Sequence, residues 1–463
     1  MSDSASASPA SPTPASAPPP EQLDRTILSL ALPAVAENLL RTAVFFADTL
    51  MVGWLRDEAA LAAAGLAGSL MYLLHTLSNA LAVSATALVA RAWGANDREL
   101  ARRTGAQAVV LGVLFALLAT ALGMPLADDF LRIMGAEPDV VAAGQTYLVI
   151  ILAGSLFAFP MSVANGVMRG AGDTRMPMWT TLAMNIWNVG VSLVLVFGLM
   201  GFPVLGLAGA GWGTTTAGAV GGLLSLAVLL RGFTVIRLRW ADFLVWDRVL
   251  VRRILRLALP SAGEAAVGQS GHLLFTRMVA SLGTVALAAH QIALRVESLS
   301  YMPSWGLAVA ATTIVGQSLG ANRPDVAEQA TRRTLLYSLV FNSLLSLLFV
   351  SAARPIVALF GGTPQVLALA GLALAISAAE MPTLGVQMIL AGALRGAGDT
   401  RTPMWVTFVG VLIFRLSLVY FLAIYLDLGL AGVWWGTAVD WAGRAALLWL
   451  VFRRGKWREI DLT

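Results

Sequence analysis

Eleven charged side chains stand where the sequence is otherwise almost wholly apolar: Glu37, Arg41, Asp48, Glu264, Arg277, Arg295, Glu297, Glu380, Arg415, Asp440 and Arg444. A charge at the centre of a bilayer costs at least about 2.5–3.5 kcal/mol, so such groups turn toward the protein interior and are candidates for handling ions or substrate. Glu37 with Arg41, and Asp440 with Arg444, are four residues apart. That spacing brings side chains together on one helical face, and both pairs read as structural before they read as functional. Asp48 has no opposite charge three or four residues away. It shares the face of Arg41 but lies about 10 Å further along a helix. A lone carboxylate at low dielectric is accommodated by taking a proton or recruiting a small cation, which makes Asp48 the leading candidate for ion coupling. Arg295 and Glu297 are two apart and point to different faces, so their partners must come from other helices. A cavity-lining role and a structural role are equally open to them. His272 and His290 are isolated imidazoles outside any metal-ligand spacing and read as core residues.

Holding these groups in place are long apolar blocks. Of 463 residues 58% are hydrophobic and 12% charged, against about 25% charged in soluble domains, so an ordinary soluble enzyme is excluded. With no cysteine, disulfides, thiolate catalysis and Cys-ligated metals are excluded too. A spanning helix needs about 20 apolar residues. The blocks predict twelve, at about 27–55, 59–90, 104–125, 139–168, 176–199, 206–230, 252–282, 284–317, 333–352, 364–394, 403–425 and 429–452. Alternation of the strand type is nowhere sustained, which argues against a β-barrel. The Ala/Ser/Pro stretch 1–21 cannot bury enough surface to offset its ordering entropy and is expected to be disordered.

Basic residues sort by loop. The loops on the side of the N-terminus hold twenty-three Arg and Lys, those on the other side only Arg56, Arg132 and Arg354. This is the positive-inside pattern, and it places both termini in the cytoplasm. It also accounts for the net charge of +5 without nucleic acid. The chain further repeats itself at an offset of about 226. Arg-Gly-Ala-Gly-Asp-Thr-Arg occurs at 169–175 and 395–401, Gly94-Ala95-Asn96 returns as Gly320-Ala321-Asn322, and Leu-Ala-Leu-Pro at 30–33 returns at 257–260, with Glu37 answered by Glu264. Six helices per unit is an even number, so both copies enter from the same side. The fold expected is an all-α polytopic membrane protein: two six-helix lobes related by a pseudo-two-fold axis along the membrane normal, around a central cavity. The division expected is an N-lobe over 22–230, a cytoplasmic linker over 231–250 and a C-lobe with a short basic tail over 251–463.

The repeated glycine loops lack the Lys-Ser/Thr ending and strand-to-helix setting of a phosphate cradle. They read as turns in which Asp173 and Asp399 start the following helices, with Pro177 and Pro403 tolerated in the first turn. Pro33 and Pro260 each remove a backbone donor at matching positions and are candidate bending points for the lobes, ordinary packing being the equal alternative.

Taken together, Pro33, Phe46-Ala47-Asp48-Thr49-Leu50-Met51-Val52-Gly53, the two Arg-Gly-Ala-Gly-Asp-Thr-Arg loops, Ala288-Ala289-His290-Gln291-Ile292-Ala293-Leu294 and Val315-Gly316-Gln317 give a chain that resembles the MATE family of multidrug and toxic-compound extrusion transporters from about residue 26 to 452. The resemblance implies a bacterial inner-membrane antiporter, working as a monomer and without a resident cofactor. It would expel lipophilic, usually cationic compounds in exchange for H⁺ or Na⁺. By the same resemblance Asp48 matches the cation-coupling aspartate of the first helix, with Asn188 and Thr214 as polar neighbours. Ser192 stands where many relatives carry a second Asp, and Gly268 and Leu384 stand at two C-lobe acidic positions of the sodium-coupled branch. The expectation is therefore N-lobe coupling through Asp48, with H⁺ favoured over Na⁺. Glu37, Glu264, Arg295, Glu297, Glu380 and Gln387 remain as cavity or secondary coupling positions. The competing reading is a flippase for lipid-linked oligosaccharide or lipid, whose cavity should be strongly basic, whereas here five embedded bases face six acids. A membrane-embedded enzyme has no metal triad, nucleophile motif or nucleotide loop to support it. Selectivity for cationic dyes over lipid-linked substrates would separate the first two readings.

Overall fold

The computed structural model describes residues 20–460. Residues 1–19 of the tail expected to be disordered lie outside them, while Pro20 and Glu21 open a short turn, Pro20–Gln22. Among the described residues every regular element is helical. The first six long helices are α1 (Leu23–Trp54), α2 (Glu58–Gly94), α3 (Arg98–Gly123), α4 (Pro138–Gly170), α5 (Arg175–Phe197) and α6 (Gly206–Arg231). The second six are α7 (Arg248–Ala280), α8 (Thr284–Gly320), α9 (Pro324–Ala358), α10 in two pieces (Pro364–Ser377 and Met381–Gly396), α11 (Arg401–Tyr425) and α12 (Gly429–Arg454). Eight of them, α1 to α6, α9 and α11, are long and apolar enough to cross a membrane, and the bent α10 makes a ninth. In α7, α8 and α12 the apolar run is broken by Glu264 and Arg277, Arg295 and Glu297, and Asp440 and Arg444.

Local chemistry sets the helix ends. Asp57, Asp97 and Asp247 accept hydrogen bonds from the first free backbone amides of α2, α3 and α7, the usual service of a capping side chain. Asn96 and Asn322 take left-handed conformations, with φ of 59° and 55°, in the α2–α3 and α8–α9 turns. Asn tolerates that region better than most residues, which gives the repeated Gly-Ala-Asn motif one of its reasons. Asp173 accepts from Arg175 N and Met176 N at 3.0 and 3.1 Å, and Asp399 accepts from Thr402 N at 2.9 Å, so both motif aspartates start a helix as expected.

The sequence repeat is also a packing repeat. In the first half α4 lies on α2 so closely that a Cβ on Gly166 or Gly170 would stand 2.5 Å from Ala82 O or 2.6 Å from Thr86 O. In the second half Gly392 and Gly396 of α10 meet Ala308 O and Thr312 O of α8 at 2.6 and 2.3 Å. Thr86 donates to Gly166 O at 2.8 Å, and Thr312 donates to Gly392 O at 2.9 Å. The same residue types make the same bonds in each lobe, as a pseudo-two-fold axis requires.

Three departures from the expected spans have physical causes. Helix α9 begins at Pro324, nine residues before the apolar run, because a helix can extend past the hydrocarbon on charged turns such as Glu328–Arg332, paired at 2.6 Å. Helix α10 is broken at Ala378–Glu380 with a 52° bend, although hydropathy runs on through the break. Helix α11 widens into π-helical turns over Gly410–Ser417 and Tyr420–Tyr425. Helices α1 and α7 run uninterrupted through Pro33 and Pro260, so in this conformation the breaks fall elsewhere.

The lobes join at the end that carries the arginine-rich loops. A Cβ on Gly94 would stand 1.9 Å from Gln317 O, and one on Gly320 would stand 2.0 Å from Arg91 O. Thr313 donates to Arg169 O at 3.1 Å, Gln317 Nε2 to Gly170 O at 3.0 Å, and Arg333 pairs with Asp24 at 2.5 Å. Among the described residues all hydrogen bonds and ion pairs between the lobes lie at this end. Gly94→Ala or Gly320→Ala must push the lobes apart there, an overpacking that costs about 1–3 kcal/mol. Either variant is expected to melt several degrees below the wild type in detergent, and an unchanged melting temperature for both would refute the contact.

Candidate functional site

Asp48 sits in α1, seven residues beyond Arg41, on the stretch toward the sparsely charged end. The structure brings it together with Asn188 of α5 and Thr214 of α6. Thr214 Oγ1 lies 3.5 Å from Asp48 Oδ2, 3.3 Å from Asn188 Nδ2 and 3.1 Å from Ala210 O. A threonine hydroxyl has one proton to donate, and the Ala210 carbonyl is the nearer of its two acceptors. Asp48 Oδ1 is buried without a hydrogen-bond partner, as are Asn188 Oδ1 and Ser192 Oγ beside it. Among the described residues no Arg or Lys lies within ion-pair distance of Asp48. The carboxylate is therefore under-bonded, and a buried unpaired charge is unfavourable until something neutralises it. A proton would do so, and so would a small cation held by Asp48 and the Thr214 hydroxyl, Asn188 turning its amide N–H to this site.

Glu37 has the opposite situation. It is fully buried, and its oxygens receive Arg41 at 3.0 Å, Arg169 at 3.0 Å and Asn165 Nδ2 at 3.4 Å. Ser225 in α6 donates to Asn165 Oδ1 at 3.2 Å, so the network ties α1, α4 and α6. In the other lobe Glu264 of α7 pairs with Arg395 of α10 at 2.7 Å and accepts from Thr407 at 3.2 Å. The i,i+4 pair expected from the sequence is present. The sequence places Arg169 and Arg395 among the loop charges, and the structure gives them a different role. Each lies in the last turn of a helix and reaches back into the lobe. The signal existed: Glu37 and Arg169 both recur at the repeat offset, and two opposite charges that recur together can be partners.

Arg169 and Arg395 also line one cavity of about 150 Å³ between the lobes, with Asn79, Trp305 and Gln387. The Arg169 guanidinium stands 5.8 Å from the Trp305 ring centre. This places Gln387 on the inter-lobe surface, while Glu37 and Glu264 serve it indirectly by fixing its two cations.

In the C-lobe the acids and bases do not balance. Asp440 accepts from Arg444 at 2.6 and 2.7 Å and has Arg415 at 2.8 Å. Glu297, in α8, is buried and accepts from the Tyr301 hydroxyl at 2.7 Å. Glu380 stands at the break of α10 against Glu297, 1% exposed, and the two carboxyl groups can hydrogen-bond to each other only when one of them holds a proton. Three buried carboxyl groups thus face two guanidiniums. Arg295 is exposed and forms no ion pair among the described residues. His290 is a core residue as expected, edge-on to Phe275 and Trp434 at 5.4 and 5.5 Å, but both its ring nitrogens are unpartnered, and His272, expected in the core as well, is exposed on α7.

Comparison with known proteins bears on the family and the fold. The family model MatE matches residues 33–220 and 260–421, one segment in each lobe. The chain is 31% identical to the probable multidrug resistance protein NorM of Thermotoga maritima, over 95% of this chain and 94% of that one. It is also 31% identical to a protein of the same description from Pseudomonas aeruginosa, over 95% and 90%. A MATE crystal structure in the bent conformation superposes with a TM-score of 0.88 at 23% identity, covering 95% of this chain and 97% of the other. A two-lobed bundle of long helices, built twice from one unit and matched along both halves, makes this chain a member of the MatE family of transporters.

Proposed function

We propose that this transporter exports lipophilic, cationic compounds across the bacterial cytoplasmic membrane, in exchange for a cation that binds at Asp48, with H⁺ favoured over Na⁺. The observation that carries the proposal is the under-bonded carboxylate of Asp48. Its neighbours in α5 and α6 are neutral, so binding one H⁺ or Na⁺ changes the charge of the N-lobe interior by a full unit. A ligand can shift a conformational equilibrium only by its differential affinity for the two states. A carboxylate buried in one state and hydrated in the other supplies such a difference. The proton is favoured because Asn188 turns its amide N–H toward the carboxylate and Thr214 offers a single hydroxyl, which leaves few oxygen ligands for a dehydrated Na⁺. Glu297 and Glu380 supply a second place for a proton in the C-lobe.

In this reading the arginine-rich end faces the cytoplasm, with both termini, and the conformation described is closed on that side. The flippase alternative is disfavoured by the cavity itself, since Arg169 and Arg395 each have a carboxylate partner and leave little positive charge for a pyrophosphate.

Purified protein in liposomes loaded with a cationic dye tests the coupling. An imposed pH gradient is expected to drive dye movement more strongly than an imposed Na⁺ gradient, and the antiport reading fails if neither does. Asp48→Asn is expected to fold with wild-type yield and to lower gradient-driven transport to the level of protein-free vesicles; full transport by this variant would remove Asp48 from the mechanism. Glu37→Gln should behave differently. It leaves Arg41 and Arg169 without their common partner, a loss of about 3–5 kcal/mol for a broken buried pair, so a fall in folded yield should precede any change in transport.

A further inference from the structure

The stretch between α6 and α7 carries a site that the transport reading does not use. Here Arg237, Arg239 and Trp240 lie beside the end of α2 and the start of α3, where Trp93, Arg98 and Arg102 stand, and line an open cleft of about 770 Å³. Charges in it are unequally spent. Arg102 is committed to Asp242 at 2.8 Å and to Glu99, whose other oxygen holds Arg103 at 2.7 Å. Arg98 stacks its guanidinium 3.3 Å from the centre of the Trp93 ring, and Arg237 donates from Nε to Leu230 O at 3.2 Å. Among the described residues Arg98, Arg237 and Arg239 have no carboxylate within ion-pair distance. Three guanidiniums thus line one cleft, two of them held by a ring or backbone contact, and the carboxylate in its lining, Glu99, is already shared by Arg102 and Arg103.

The surroundings state the depth at which this cavity lies. Phe233, Val235, Trp240, Leu244 and Trp246 are exposed, by 62, 58, 67, 86 and 50%, on a connection of about sixteen residues. Large apolar and aromatic side chains exposed beside arginines mark the boundary between headgroups and acyl chains. The bundle's own geometry agrees, because the cavity lies at the last turns of α2 and α6, where the apolar spans end. A ligand for this place must carry a compact negative group suited to several guanidiniums, for which phosphate is the fitting chemistry, and an apolar part that covers exposed Phe and Trp.

We propose that this cavity binds the phosphate headgroup of an anionic phospholipid of the inner leaflet. The leaflet, though not the chemistry, rests on the orientation adopted under Proposed function. The bound lipid bridges the end of α2, the start of α3 and the connection to the C-lobe, adding to the Arg102–Asp242 ion pair that already ties the last two.

The test uses the full chain in detergent, with lipid binding read by native mass spectrometry and folding read by melting temperature. Phosphatidylglycerol is expected to bind in preference to phosphatidylcholine. The variant Arg98→Gln/Arg237→Gln/Arg239→Gln is expected to weaken that binding at least about tenfold. Arg401→Gln/Arg453→Gln/Arg454→Gln removes the same charge from the same end outside the cavity and should leave binding near wild type. Equal effects of the two triple variants would overturn the proposal, and so would equal affinity of the unmodified protein for the two lipids, a measurement that needs no variant to fold. Inorganic phosphate competing with phosphatidylglycerol supports the shared chemistry, whereas phosphate binding without lipid preference overturns the lipid assignment. Because the chain has no cysteine, thiol labelling of Ala241→Cys in sealed vesicles reports the side independently. Labelling only from the outer face would overturn the orientation while leaving a headgroup site intact, and failure of dye transport would leave it intact as well.

Discussion

Every charge taken into this bundle must be answered, and the answers organise the molecule. Glu37 with Arg169 and Glu264 with Arg395 are the same solution used twice. In each lobe a carboxylate on the first helix holds the arginine that ends the fourth. Removing either member strands the other at low dielectric, which is why the pair constrains more than it stabilises. The pairs also aim both arginines at the inter-lobe cavity, so a structural necessity of each lobe sets the character of the surface between them. Against this background the exceptions are Asp48 in the N-lobe and Glu297 with Glu380 in the C-lobe, carboxyl groups that form no ion pair among the described residues.

Duplication explains the frame and its exceptions locate the chemistry. The α2–α4 contact is copied in α8–α10 down to the threonine that bonds a glycine carbonyl. Where the copies diverge, the C-lobe gains features absent from the N-lobe. Helix α10 breaks where α4 is continuous, and Glu380 stands at the break. Helix α11 widens where α5 is regular, and its Arg415 reaches Asp440. The N-lobe keeps regular helices around Asp48. The two lobes therefore carry their unbalanced acids in different ways, one on an intact helix and one at a fracture.

Much of this was legible in the sequence, because membrane helices are long, apolar and bounded by charge. The repeat, the termini of most helices, the role of Asp173 and Asp399 and the local pairs at Glu37 and Asp440 follow from composition and spacing alone. The neighbourhood of Asp48 came through family likeness, since nothing in the spacing of positions 48, 188 and 214 brings them together. What stayed hidden was tertiary. Hydropathy is blind to the fracture of α10, whose residues are apolar on both sides of it. The reach of Arg169 and Arg395 into the lobes is hidden because a basic residue in the last turn of a helix reads as a loop charge. The cavity formed by the connection between α6 and α7 depends on how that segment folds back over Trp93 and Arg98, and no periodicity reports it.

The closest approach between the lobes is made by Gly94 and Gly320, residues with no side chain to bury. Around that point the join is strongly apolar: Leu23, Ile27, Leu30 and Ala31 of α1 share one buried cluster with Leu307, Ala311, Ile314 and Val315 of α8. Val251, Ile254, Leu257 and Ala258 of α7 are likewise buried with Leu88 and Val89 of α2. Hydrophobic stabilisation scales with the apolar area removed from water, at about 25 cal/mol per Å², so parting the lobes at this end exposes these side chains as well as breaking the hydrogen bonds of Thr313 and Gln317. The glycines set how closely the lobes meet, and their apolar flanks set what it costs to part them.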